Sequence, residues 1–305
     1  MPTLRQLEYL TAIADTHHFR KAAEKTGVSQ PTLSAQLAAL EQRLGVQLVE
    51  RSRSGVLITP VGEMIVAAGR KVMREVQELH DIAASHRGEF GGLVRLGLPP
   101  TIGPFLLPRM LPTLHQEHPG FKIYVREVMP KLLPGALADG AHDVVLAPLP
   151  MNHADFEVVP IFREPLYVVV PDEHPFGEKG FVERADLEGQ TVLAMERGHQ
   201  LHEQVESICN DFGARLAYDY EGTSLETLAQ MTALGLGISF LPGLFVTTTL
   251  RGRPGVRALE MKDRSLSRTI GLVWRRTAAR RREFELFEGY LRQTLSSDFK
   301  SFTQL

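Results

Sequence analysis

Apolar residues recur at helical spacing from the first turn of the chain. Leu4, Leu7, Tyr9, Leu10, Ile13 and Ala14 share one stripe, which predicts an amphipathic helix. A second helix is expected over about 19–26. It carries Ala22 and Ala23 and stops at Gly27, a residue that closes a helix in the left-handed region at no steric cost. The run SQPTLSAQLAALEQRLG predicts a third. Ser29 caps it, Pro31 sits in the first turn where its missing N–H is not needed, and Leu33, Leu37, Leu40 and Leu44 form the buried stripe before Gly45 ends it. Leu48, Val49, Val56, Leu57 and Ile58 then flank Arg51-Ser52-Arg53-Ser54-Gly55, the pattern of a small hairpin. From the cap Thr59 and the helix-starting Pro60, a long charged helix runs to about residue 86. Its Met64, Ile65, Ala68, Val72, Val76, Leu79 and Ile82 lie close to a heptad seam. Gly88, Gly91 and Gly92 mark a hinge.

Beyond the hinge the period changes. Short apolar runs at 93–98, 122–127, 143–147, 166–170, 192–195, 238–241 and 269–274 read as strands. Helical patterns fall between them near 103–118, 131–140, 201–213, 224–235 and 280–295. This alternation predicts an α/β domain with largely parallel sheets.

Two short helices, a glycine turn and a third helix make a helix-turn-helix arrangement, and the hairpin after it makes a wing. On the third helix the exposed positions Gln30, Thr32, Ser34 and Gln36 are short, polar or amide-bearing, the kind of side chain that reaches base edges in the major groove. A plain helical bundle with solvated polar faces is the alternative. Charge barely separates the two readings. The chain has 305 residues and a formal net charge of −2, and residues 1–60 hold 7 Lys or Arg against 5 Asp or Glu. Nucleic-acid binding therefore rests on placement. The seam of the long helix is an apolar stripe that a second copy would bury, unless it packs on its own domain.

A single cysteine, Cys209, excludes an intramolecular disulfide and a thiolate metal cluster. There is no apolar run of the roughly 20 residues that a membrane span needs, and no signal-peptide core, so a cytoplasmic protein is expected, with no membrane partner. No phosphate loop, nucleophile elbow or metal-ligand cluster points to an enzyme, and no cofactor or metal is implied. Arginines at 275, 276, 280, 281 and 282 read as a solvated helix start rather than a second nucleic-acid patch.

The stretch FRKAAEKTGVSQPTLSAQLAALEQRLGVQLVERSRSGVLITPVGE resembles the N-terminal signature of LysR-type transcription regulators. The resemblance implies an α/β architecture in three parts: a winged helix-turn-helix over 1–58, a linker and dimerisation helix over 59–88, and a periplasmic-binding-protein-like effector domain over 89–305. That domain would have one lobe at 92–165 plus 268–305 and another at 166–267. It places Gln30, Pro31, Thr32, Ser34 and Gln36 on the recognition helix, and Arg51 and Arg53 on the wing. The partners it implies are a pseudo-palindromic promoter DNA, RNA polymerase, a small-molecule effector and further copies of the chain in a homodimer or homotetramer.

An effector would sit between the lobes, where strand ends meet helix starts. Candidates there are Pro100 and Thr101 after the first strand, Pro148 at the end of another, His199 and Gln200, and Thr223 with Ser224. Thr101 has the alternative role of a helix cap, and His199 that of a structural histidine. The phrases PTIGPFLLPRMLPTLHQEHP and GTSLETLAQMTALGLGISFLP, and the strand RTIGLVW, further resemble the peroxide-sensing OxyR subfamily. There a thiolate attacks peroxide and a second cysteine resolves it. Here Gln200 stands at the reacting position, Cys209 at the resolving one, and Pro130 where a peroxide-holding threonine is expected. A carboxamide cannot be oxidised to a sulfenic acid. Two departures in one site favour a natural relative without the redox switch over a single engineered replacement. The expected signal is then a small polar or anionic molecule. A peroxide- or redox-responsive regulator carrying Gln200 in place of cysteine is the alternative, with Cys209 as redox candidate or as a small buried core residue.

Overall fold

The computed structural model describes residues 1–52, 55–86, 92–151, 153–262 and 266–305. The chain divides into two compact units, one carrying residues 1–89 and the other nearly all of residues 90–305.

The first unit opens with helices α1 (Leu4–Thr16), α2 (Phe19–Thr26) and α3 (Gln30–Leu44). Their ends follow the local chemistry of the sequence. Thr3 and Gln6 form a reciprocal capping box on α1, and the Ser29 hydroxyl accepts from Thr32 N on α3. Gly27 and Gly45 take φ of 68° and 70° to close α2 and α3. Leu10, Ile13, Ala22, Leu33 and Leu40 meet in one core, while Leu44 is only half-buried. Strands β1 (Val49–Ser52) and β2 (Gly55–Ile58) pair antiparallel as the hairpin, with Arg51 opposite Val56. Glu41 ties this hairpin to α3, its carboxylate accepting from Leu48 N at 2.8 Å and Val49 N at 3.1 Å.

Helix α4 (Pro60–His86) starts on the predicted cap, Thr59 Oγ1 accepting from Gly62 N at 3.0 Å. One of its faces packs on α1 through buried Val66 and through Gly69, which faces Leu7. Arg70 adds an ion pair to Asp15 at 2.7 Å. Another face is open: Met64, Ala68, Val72 and Leu79 are exposed, the last by 67%. The seam is thus not consumed by α4's own unit. Its Ile82, and the hinge glycines Gly88 and Gly91, lie outside the described side chains.

The second unit holds two sheets joined through one long strand. In chain order its elements are β3 (Gly92–Leu98), α5 (Gly103–Glu117), β4 (Phe121–Glu127), α6 (Leu133–Ala138), β5 (Val144–Pro148), β6 (Phe156–Pro171), α7 (Pro175–Lys179) and β7 (Phe181–Val182). There follow β8 (Thr191–Met195), α8 (Gln200–Phe212), β9 (Arg215–Gly222), α9 (Leu225–Ala233), β10 (Ile238–Pro242), α10 (Gly243–Phe245), β11 (Val256–Met261), β12 (Ser267–Arg275), α11 (Arg281–Asp298) and β13 (Thr303–Gln304). The first half of β6 completes a sheet of order β4-β3-β5-β12-β6, and its second half begins β6-β10-β8-β9 with β11 on its other edge.

The sheets are mixed rather than largely parallel. Strands β3, β4 and β5 pair in parallel, as do β10, β8 and β9, but β12 runs antiparallel to both β5 and β6. The reason is connectivity: β6 carries the chain from the first sheet to the second, and β11 and β12, with no helix between them, run back along its length, so both lie antiparallel to it. Every residue of β5 is buried because it is covered on both faces. Val144 and Leu146 enter a core with α5 and α11, while Val145 and Ala147 enter another with Leu133 and Leu137. Strand β6 begins at Phe156, ten residues before the expected 166, and β9 and β11 were not anticipated. Of the five arginines near the α11 start, Arg281 and Arg282 are exposed, while three are held by backbone carbonyls: Arg275 donates to Leu137 O and His142 O, Arg276 to Phe156 O and Arg280 to Leu93 O.

Candidate functional site

The face expected to meet DNA is formed by the N-terminal half of α3. Gln30, Pro31, Thr32 and Gln36 are exposed and Ser34 is half-buried. Thr32 and Gln36 already have protein partners. The Thr32 hydroxyl lies 2.7 Å from Ser29 Oγ, and Gln36 Oε1 accepts from Gln6 Nε2 at 3.1 Å. Gln6 is 2% exposed. It was not singled out in the sequence, because a glutamine in an amphipathic helix reads as surface until a partner 30 residues away is known. Arg51 takes its place in β1, but its side chain, and Arg53 altogether, lie outside the described residues.

In the second unit the junction of the two sheets is held by a buried ionic network. Glu164 on β6 is 0% exposed and Arg268 on β12 is 7% exposed. Arg268 Nε donates to Glu164 Oε1 at 2.6 Å, and Leu244 N donates to the other carboxylate oxygen at 2.8 Å. The guanidinium also donates to Thr101 Oγ1 and Thr101 O, both at 3.1 Å. Burial pushes the Glu164 carboxyl up from its ordinary range, and the Arg268 charge and the Leu244 N–H oppose that shift. Thr101 therefore serves as an acceptor for Arg268. It does not cap α5, whose N-cap is Ile102 without a side-chain bond.

Arg268 also forms one wall of a pocket of about 410 Å³. Gln200, Leu201, Glu203 and Gln204 contribute the side made by the first turns of α8, and Pro148, Leu149, Ser267 and Thr269 the side made by the ends of β5 and β12. Gln200 is half-buried and, among the described residues, makes one long contact, 3.5 Å from Nε2 to Leu149 O. Gln204 is fixed by a 2.9 Å bond to Ser267 O. Of the residues proposed from sequence, Pro148 and Gln200 thus meet in this pocket, with Thr101 one bond behind it.

The others are placed apart. Pro100 is half-buried in the loop before α5, and Pro130 opens a single turn at Pro130–Leu132. His199 is 2% exposed at the N-cap of α8; its Nδ1 has no hydrogen-bond partner and its Nε2 lies 3.7 Å from Glu196. Burial holds its imidazole below the usual histidine range. Glu196 opposes that shift, while His202 and Lys131 add to it. Thr223 is exposed, and Ser224 caps α9 by accepting from Thr227 N at 3.1 Å. Cys209 is 2% exposed within the core of the second sheet, and burial, with Glu206 adding to it, pushes its thiol up to about 11. Arg268, Glu203 and Gln204 were missed from sequence; an arginine near the start of a strand and two polar residues on a helix carry no signal of a shared cavity. Among the described residues no group of three His, Cys, Asp or Glu is placed to hold a metal, and no helix is long and apolar enough to cross a membrane.

Comparison with known proteins covers both units. Residues 4–63 match the family model for the bacterial regulatory helix-turn-helix protein, lysR family, and residues 87–296 match the LysR substrate binding domain. The DNA-binding transcriptional dual regulator OxyR of Escherichia coli K12 is 39% identical over 296 residues, 97% of each chain. A full-length cysteine-to-aspartate variant of OxyR from Pseudomonas aeruginosa superposes with a TM-score of 0.78 at 34% identity, covering 95% of this chain and 94% of that one. A cysteine-to-serine variant of Corynebacterium glutamicum OxyR with hydrogen peroxide bound gives 0.66 at 32% identity, covering 98% and 94%.

Proposed function

We infer that this chain, which belongs to the LysR family of bacterial DNA-binding regulators and carries that family's effector-binding domain, is switched by reversible binding of a small polar or anionic molecule. The pocket beside Gln200 carries this reading. Its volume, about 410 Å³, lies in the range of metabolite sites, roughly 300–1,000 Å³. Peroxide, with two heavy atoms, would leave most of it empty. The wall offers the carboxamide of Gln200 and the carboxylate of Glu203, beside Arg268, whose guanidinium already donates to Glu164 and Thr101; the amide and the carboxylate together bind a ligand bearing both acceptors and donors. The residue contributes no catalytic step: the amide donates and accepts hydrogen bonds and is not consumed.

The pocket lies between the ends of β5 and β12 in the first sheet and helix α8, which packs on the second, so a ligand that fits it better in one arrangement of the lobes shifts the chain toward that arrangement. The readout is then a changed footprint of the DNA-binding unit on a two-half-site promoter, in an oligomer whose protomers pair through the α4 seam, with RNA polymerase as the downstream partner. A thermal-shift screen of metabolites against the full-length protein tests this. A compound that raises the melting temperature should lose at least about tenfold in affinity on Gln200→Ala, a loss of one good polar contact. A hit whose affinity is the same in that variant would place the ligand elsewhere.

A second reading is favoured by the relatives, several of which are named hydrogen peroxide-inducible genes activators. In it the chain responds to oxidant through another route. Footprinting with and without peroxide or diamide, in the absence of any metabolite, separates the two: an oxidant-dependent shift supports this second reading and overturns the first.

A further inference from the structure

We propose that Gln6, a buried residue of α1 that makes no contact with DNA, decides which base edge the recognition helix reads through Gln36. The proposal rests on the reading of Gln36 as a DNA-facing residue. It starts from a group whose direction is not negotiable. The backbone N–H of Thr3 donates to Gln6 Oε1 at 3.1 Å. A backbone amide is donor only, so the Gln6 side chain must place its oxygen there; the flipped amide would set two donors face to face. Gln6 Nε2 is then the group left to reach α3, where it donates to Gln36 Oε1 at 3.1 Å. Gln6 is 2% exposed, so water does not substitute for either bond. The chain of assignments runs from Thr3 N–H through Gln6 to Gln36 without a free choice.

The consequence lies at the exposed end. A glutamine with both amide atoms free reads adenine by a bidentate pair, accepting from N6 and donating to N7. Gln36 has its oxygen turned toward α1. What it turns outward is the NH₂ group, a donor without a matching acceptor. Its partner on a base pair is an acceptor edge, and guanine, with O6 and N7 side by side, supplies the best one. Gln36 is therefore a reader of guanine rather than adenine, and Gln6 is the positioning residue that makes it so.

The test is selection of binding sites from a randomised operator library by the full-length protein, followed by sequencing. Gln36→Ala, an exposed change to a strong helix former, first identifies the base pair whose preference depends on Gln36. At that base pair the wild-type protein should prefer guanine over adenine by about tenfold. Gln6→Glu keeps the bond from Thr3 N–H and nearly the same shape, but presents an oxygen to Gln36. The Gln36 amide then turns to donate inward and shows its carbonyl to DNA, and the preference should move to a base that exposes a donor, cytosine or adenine. Gln6→Leu frees the amide, and adenine should join guanine.

A wild-type preference for adenine at that position overturns the proposal without any Gln6 variant. So does an unchanged profile in both Gln6 variants when Gln36→Ala alters it, in which case Gln36 reads DNA but Gln6 does not orient it. If Gln36→Ala leaves both profile and affinity unchanged, the DNA-facing reading of Gln36 itself fails and takes the proposal with it.

Discussion

Replacing Arg268 by methionine isolates the network at the junction of the two sheets. The substitution keeps much of the aliphatic volume and removes the guanidinium. Glu164, 0% exposed, loses the charged partner it has among the described residues, and Thr101 loses two donors. Breaking a buried ion pair from one side costs roughly 3–5 kcal/mol, because the other charge is stranded. We expect a loss of about 4 kcal/mol, or roughly 8–16 °C in the melting of a domain of this size. The pH dependence follows from Glu164. Burial already raises its pKa, and removing Arg268 takes away an opposing influence. Its folded-state pKa then stands above the unfolded value of about 4.3, and between the two the folded form binds more protons. The variant therefore gains stability as pH falls through that window and loses it as pH rises. Urea denaturation of the full-length variant at pH 8 and pH 5.5 should show the larger deficit at pH 8. Adding Glu164→Gln should restore part of the loss, since the stranded charge is gone. A deficit under about 1 kcal/mol, or one that is equal at both pH values and not relieved by Glu164→Gln, refutes the claim that this pair is a coupled buried network.

Three further outcomes are expected. Cys209, with its thiol pushed up to about 11, should resist a thiol-labelling reagent at pH 7 in the native protein and react fully in denaturant; fast native labelling would contradict its placement in the core. Leu79→Asp or Val72→Asp puts a charge on the open seam of α4 and should shift the oligomer toward monomer in analytical ultracentrifugation, while circular dichroism shows an unchanged helix content. Glu41→Ala removes the carboxylate that accepts from Leu48 N and Val49 N, and should cost about 2 kcal/mol in the melting of the DNA-binding unit.

How far these features were legible from the chain depends on how far apart the partners lie. The helices of the first unit, their caps at Ser29 and Thr59 and their closing glycines at 27 and 45 were readable because each depends on residues within a few positions of one another. The same holds for the strands of the second unit that are apolar throughout, such as β5 and β8. The first half of β6 was not readable. Its Pro160, Arg163, Glu164 and Pro165 look like a solvated loop, and Glu164 is tolerated in the sheet only because Arg268 arrives from a strand 104 residues later.

The sequence by itself determined a helix-turn-helix with a wing, a long helix with an open apolar seam, and an α/β domain with glutamine where a reacting cysteine was expected. Tertiary structure alone decided what that glutamine faces. It brought Thr101 to Arg268 across 167 residues, closed a pocket from α8, β5 and β12, and turned the Gln36 amide by way of Gln6. The physical reason is common to all three. Capping and periodicity are set by fixed spacings along one helix, whereas the partner of a buried polar group is chosen by which strands and helices the topology lays side by side, and no spacing in the chain encodes that.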